Sequence, residues 1–129
     1  MTNTADSTKL LYPDLSFEIM KFIFEVHNQL GSGYTEEIYE RALIIELEQN
    51  GIPFESQKCI EVMYKGQKIG VYRLDIVVDG KIVLELKAVK ELTDVFRQQL
   101  LSYLKASGLR LGILVNFGAP RVQSIRIAA

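Results

Sequence analysis

The sequence predicts an α/β domain with an α+β-like order of elements, in which one mixed central β-sheet is flanked by helices. Three observations predict it. Apolar residues recur at three- and four-residue steps in three separate segments, the period of amphipathic helices. Between the second and third segments the period drops to two, with Lys65-Gly66 and Asp79-Gly80 as turn pairs that divide the stretch into strands. Leu111 to Phe117 is almost wholly apolar, as expected of a strand covered on both faces. The order helix, helix, three-strand meander, helix, strand closes as one mixed sheet with helices packed on it.

Each element has its own signals. Pro13 followed by Asp14 suits a helix start, because proline fits the first turn and an acid there complements the helix dipole. Leu15, Ile19, Phe22, Val26 and Leu30 then form one apolar stripe, and Gly31 can cap it in the left-handed region. A second helix is expected from Tyr34 to Asn50, with Tyr39, Leu43 and Leu47 on its stripe. Asn50-Gly51 ends it and Pro53 prevents its return. Strands are expected over Cys59 to Tyr64, Ile69 to Val78 and Ile82 to Val89, the last two joined as a hairpin by Asp79-Gly80. The third helix reads from Leu92 to Ser107, closed by Gly108, with Leu92, Val95, Phe96 and Tyr103 on its inward stripe. Ile125 to Ile127 reads as a last short strand.

The chain has 129 residues, which suits one domain over residues 10–129 behind a polar tail at 1–9. It shows no repeats, low-complexity stretches or linker. The single cysteine, Cys59, leaves no internal disulfide, so a core must stabilise the fold and a reduced, cytoplasmic setting is expected. Cys59 itself reads as a packing residue. No apolar run approaches the roughly twenty residues that span a bilayer, and Met1 to Lys9 has no signal core. The net charge of −1 argues against bulk coating of nucleic acid, but the distribution is uneven. Residues 81–129 hold eight Lys and Arg against three Asp and Glu, whereas residues 1–80 hold seven against thirteen. A polyanion can dock on such a basic side, although scattered solvated charges account for it equally.

The strand from Ile82 carries the chemistry. Side chains alternate across a strand, so Val83, Glu85, Lys87 and Val89 share a face, with Glu85 and Lys87 roughly 6 to 7 Å apart. Valines on both sides imply that this face is partly covered, and covered charges need partners. In the hairpin closed by Asp79-Gly80, Asp75 shares that side and can lie close to Glu85. Two adjacent carboxylates repel unless a proton or a cation sits between them, and a hard divalent cation suits an oxygen pair of this kind. The alternative is a surface hairpin on which Arg73, Asp75, Glu85 and Lys87 form ion pairs of little consequence.

Two further polar residues fall on inward stripes. Glu36 lies three, seven and eleven residues before Tyr39, Leu43 and Leu47, so it continues their stripe. Complementation of the helix dipole is its simpler explanation, although Glu37 could do the same. Gln99 falls among the inward residues of the third helix, to satisfy a backbone group or to contact a phosphate. His27 reads as a packing or capping residue near a helix end. Tyr34, Tyr39 and Tyr103 read as core aromatics. Phe22, Ile23 and Phe24 cover several directions of the first helix, which fits either burial within the domain or a homodimer contact.

Asp75 followed by Glu85-Leu86-Lys87 resembles the Asp…Glu-x-Lys signature of the PD-(D/E)XK nuclease superfamily. Gly33-Tyr34-Thr35-Glu36-Glu37-Ile38-Tyr39 resembles the motif that names the GxxExxY branch. Val26-His27-Asn28-Gln29-Leu30-Gly31, Tyr64-Lys65-Gly66, Gln99-Leu100-Leu101-Ser102-Tyr103-Leu104 and Val115-Asn116-Phe117-Gly118 agree with it. The resemblance implies a restriction-endonuclease-like core with an acidic cleft. It implies that Asp75 and Glu85 bind Mg²⁺ or Mn²⁺ with the Leu86 carbonyl, and that Glu36 joins directly or through water. Lys87 would orient the attacking water and Gln99 would be an accessory. The function so implied is a divalent-metal-dependent nuclease acting on DNA or RNA. The alternative is a non-catalytic module on the same scaffold that binds nucleic acid or protein.

Overall fold

The computed structural model describes residues 11–129, so the expected tail at 1–9 lies outside the described residues. Helix α1 spans Pro13–Leu30, with Pro13 at its first turn and Gly31 closing it at a φ of 70°. The Gly31 N–H returns to the His27 carbonyl at 2.8 Å. Helix α2, Glu36–Gln49, starts after an extended Thr35 and buries Tyr39, Leu43 and Leu47, the stripe that the periodicity predicts.

Strands β1 (Phe54–Tyr64) and β2 (Gln67–Val78) pair antiparallel along nearly their whole length, with a register shift between Val62 and Met63. Lys65 and Gly66 between them have φ values of 49° and 76°, the double positive-φ geometry that suits the twist of a hairpin. Asp79 and Gly80 repeat it at 52° and 63°. That second loop holds three residues, because Lys81 closes it through a 2.9 Å bond to Val78 before β3 (Ile82–Lys87) begins. Helix α3 (Asp94–Ser107) then carries the chain to β4 (Leu111–Asn116), parallel to β3, and β5 (Gln123–Ala128) returns antiparallel. The sheet order is β1-β2-β3-β4-β5.

Two apolar layers flank the sheet. One packs Ile19, Phe22, Ile23 and Val26 of α1 and the stripe of α2 onto Ile76, Leu84, Leu86, Ile113 and Phe117. The other packs Leu100, Tyr103 and Leu104 of α3 onto Leu74, Val77, Val83 and Leu114. Gly112 lies under α3, and a Cβ there would stand 2.8 Å from the Leu100 side chain. With both faces covered, every residue from Leu111 to Phe117 is buried, as an apolar run requires.

Several expectations need correction. β1 begins at Phe54, five residues before the expected Cys59. Cys59 is exposed, because it faces solvent on the part of the β1–β2 hairpin that extends beyond β3. Helix α3 begins at Asp94, with Thr93 as its N-cap, so Leu92 precedes it. Phasing the stripe from Leu92 placed Val95 inward, whereas it is 70% exposed. Tyr34 is exposed before α2, while Tyr39 and Tyr103 are buried as expected. His27 has the packing role expected of it, stacked on Phe117 with Nε2 3.1 Å from the Ala119 carbonyl oxygen. Among the described residues, no helix is long and apolar enough to cross a membrane.

Candidate functional site

Backbone pairing between β2 and β3 runs only from Val78↔Ile82 to Ile76↔Leu84. Where it stops, side chains take over. The Asp75 N–H donates to Glu85 Oε1 at 3.1 Å, and the Leu86 N–H donates to Asp75 Oδ2 at 2.8 Å. Each carboxylate thus caps the backbone of the opposite strand. The exchange satisfies donors that splaying of the strands would otherwise leave open. The register of the hairpin on either side sets Gln57, Asp75 and Glu85 in one row across β1, β2 and β3.

This row lies in a cleft of about 490 Å³. Glu36, Glu40 and Arg73 also line it, as do Leu86, Lys87 and Tyr103. The surface ion-pair alternative does not describe this hairpin. Glu85 is only 4% exposed, and surface ion pairs such as Lys21 to Glu18 at 3.5 Å lie away from it. Lys87 turns its ammonium toward α3, 4.7 Å from the centre of the Phe96 ring and 3.4 Å from Gln99 Oε1.

Burial, then the charge of Asp75, push Glu85 up to about 8 from the ordinary 4.5. Burial also raises Asp75, partly offset by the Leu86 N–H and by Lys87. Two carboxylates held this close need a proton between them to relieve their repulsion. A divalent cation answers the same need, and two adjacent carboxylates are the oxygen donors that hard cations take. The donor set therefore fits such an ion. Among the described residues, no three Asp, Glu, His or Cys side chains converge into a ready-made cage.

Of the residues singled out from sequence, Asp75, Glu85, Leu86 and Lys87 meet in the cleft, and Glu36 lines it. Glu36 does lie on the inward stripe of α2, but at that first turn the stripe faces the cleft and not the core, so Glu36 is exposed. Gln99 is exposed, off the inward stripe expected of it, and reaches the site through Lys87. Three further residues shape the cleft without a signal for that role in the sequence. Glu40 lies one helical turn after Glu36 and is raised by burial, then by the charge of Asp75 among other groups. Gln57 donates to Glu40 Oε1 at 2.7 Å. Tyr103 is more than a core aromatic, because it lines the cleft and its phenol is raised by burial and by the charges of Glu85 and Asp75.

The remaining motif residues hold the frame. Tyr39 is buried, stacks on Phe117 with centroids 4.4 Å apart, and donates from its hydroxyl to the Gly31 carbonyl at 2.5 Å. The Tyr34 N–H donates to the same hydroxyl at 3.3 Å, so one side chain fixes where α2 begins. Buried Asn116 accepts from the N–H groups of Val89 and Gly118 and donates to Val89 O and Gln123 Oε1, all at 2.9 Å. A Cβ at Gly118 would stand 2.3 Å from the Val89 carbonyl oxygen. Together with the 2.8 Å bond from Phe117 N–H to Lys87 O, these contacts hold the segment that follows Lys87.

The family model of the PD-(D/E)XK nuclease superfamily matches residues 13–127 of this chain. Comparison with curated proteins gives no match. The crystal structure of SSO0001 is similar, with a TM-score of 0.55 and 25% sequence identity over 71% of this chain and 48% of that one. The chain thus spans about half the length of that protein. An α/β sheet of this order, with Asp75 and Glu85-Leu86-Lys87 meeting in one cleft, agrees with the family match: the chain belongs to the PD-(D/E)XK nuclease superfamily.

Proposed function

We propose that this protein is a divalent-metal-dependent nuclease that hydrolyses phosphodiester bonds of DNA or RNA, in the GxxExxY branch of its superfamily. The observation that carries the reading is the pairing of half-buried Asp75 with buried Glu85 beside Lys87. Asp75 and Glu85, with the Leu86 carbonyl, would hold Mg²⁺ or Mn²⁺, and Glu36 would join from the mouth of the cleft. A bound divalent ion supplies Lewis acidity toward a phosphoryl oxygen and lowers the pKa of water.

The protein's own groups do the rest. Lys87 presents a fixed positive charge at the cleft, where it stabilises negative charge that develops on the phosphate. Phe96 and Gln99 both hold its ammonium, so little reorganisation is needed during reaction. Arg73 on the cleft wall, and the Lys and Arg residues of α3 and the last strands, would hold the polyanion without reading its sequence. A screen of single- and double-stranded DNA and RNA with Mn²⁺ tests the reading. Cleavage that Lys87→Met abolishes supports it, and no cleavage of any of these substrates counts against it.

A second reading is a binding module without turnover. The lack of a third converging ligand among the described residues favours it. Uptake of Mn²⁺ and nucleic acid without hydrolysis would establish it. A homodimer through α1 is also proposed, because Phe17 and Phe24 stand exposed seven residues apart on one side of that helix. Sedimentation decides that point. A reducing, cytoplasmic setting suits the exposed Cys59 thiol.

A further inference from the structure

Gln57 is unusual in both backbone and side chain. Its φ of 51° lies in the left-handed region, which residues bearing a Cβ rarely enter, and it does so within strand β1. The pairs Ser56↔Ile76 and Lys58↔Leu74 on either side place it opposite Asp75. From there its Nε2 donates to Glu40 Oε1 of α2 at 2.7 Å. The Asp75 carboxylate lines the same cleft, and the Gln57 amide favours its ionised form. An amide NH₂ has two N–H bonds and no charge, so one group can serve two carboxylates at once.

We infer that Gln57 is a positioning residue that ties Glu40 of α2 to Asp75 of the sheet, an assignment that rests on reading the cleft as a metal centre. Glu40 and Asp75 repel each other across a partly desolvated gap. A cation alone could hold them, but the cleft would then assemble only on loading. A neutral donor sets their positions beforehand and leaves their charge for the ion. The left-handed backbone is the local strain that accompanies this aim, and strain of this kind gathers at functional sites. The tie also selects among the acids of α2. Glu40, one turn beyond Glu36, is anchored to the sheet, while Glu36 stays exposed at the mouth.

Two measurements test the tie. Gln57→Met keeps the length of the side chain and removes both N–H bonds. Without metal, thermal melts of Gln57→Met, Glu40→Ala and the double variant form a cycle. The double variant is expected to melt within about 2 °C of the less stable single one, and additive losses would overturn the tie. With Mn²⁺, calorimetry is expected to show roughly tenfold or greater weakening in Gln57→Met at unchanged circular dichroism, as loss of an outer-shell partner does. Gln57→Asn keeps the amide and tolerates the left-handed backbone, so it should recover part of the affinity. Affinity in Gln57→Met within twofold of the wild type would make Gln57 a merely structural link and overturn its positioning role. If the wild type takes up no Mn²⁺, the metal reading of the cleft fails, and the metal-free cycle alone upholds or overturns the tie.

Discussion

The backbone N–H of Asp75 donates to the Glu85 carboxylate at 3.1 Å, and in return the Asp75 carboxylate accepts from the N–H of Leu86, next to Glu85. The acid pair therefore belongs to the sheet as much as to the cleft. It replaces the β2–β3 ladder where the strands part, and it places two carboxyl groups where only a proton or a cation lets both stay.

Stability should depend on pH through Glu85. The folded protein holds its proton more tightly than the unfolded chain, because burial and Asp75 raise it from 4.5 to about 8. That contribution is complete below about pH 4.5, shrinks as pH rises, and is lost above about 8. Melting temperature in chelator should therefore fall across this window, and Glu85→Gln should flatten the fall. An equal slope in that variant would show that another group is responsible.

Lys87→Met should separate chemistry from metal uptake. Its ammonium rests against Phe96 and Gln99, and neither contact supports the acid pair directly. Hydrolysis is expected to drop about 10²- to 10³-fold, the usual effect of removing one group that stabilises transition-state charge. Mn²⁺ affinity should stay within a few-fold of the wild type. Parallel loss of both would make Lys87 part of the metal site itself.

Asn116 is buried with four hydrogen bonds, three of them to the backbone of Val89 and Gly118. Asn116→Leu has similar volume but leaves those backbone groups unpaired. The cost is about 3 kcal/mol or more, which lowers the melting temperature by roughly 10 °C. Activity should fall at temperatures where the variant remains folded, since the segment after Lys87 loses its clamp. A fully active variant would show that this clamp serves stability alone.

Much of the site was legible because one turn sets it. Asp79-Gly80 marks the hairpin and brings Asp75 near Glu85, and the third loop residue, Lys81, sets the two level. What stayed hidden depends on β1. Its first residues, Phe54-Glu55-Ser56, show no alternation and give no strand signal, so nothing in the sequence sets Gln57 opposite Asp75. Glu40 was within reach, one helical turn beyond Glu36, but its role depends on Gln57. Cys59 misled for a related reason. Beyond Ile76 only the face with Ile60 and Tyr72 packs on the α3 layer, and Cys59 alternates onto the other, uncovered face. The Val95 error came from counting helical phase from Leu92, which lies outside the helix.

The most direct test of the account is calorimetric titration of Mn²⁺ into the wild-type protein and Asp75→Ala, with circular dichroism to confirm the fold of both. The account predicts binding to the wild type that vanishes in a folded Asp75→Ala. Equal binding by the two proteins, or none by the wild type, would contradict it and leave the Asp75–Glu85 pair as a structural joint between β2 and β3.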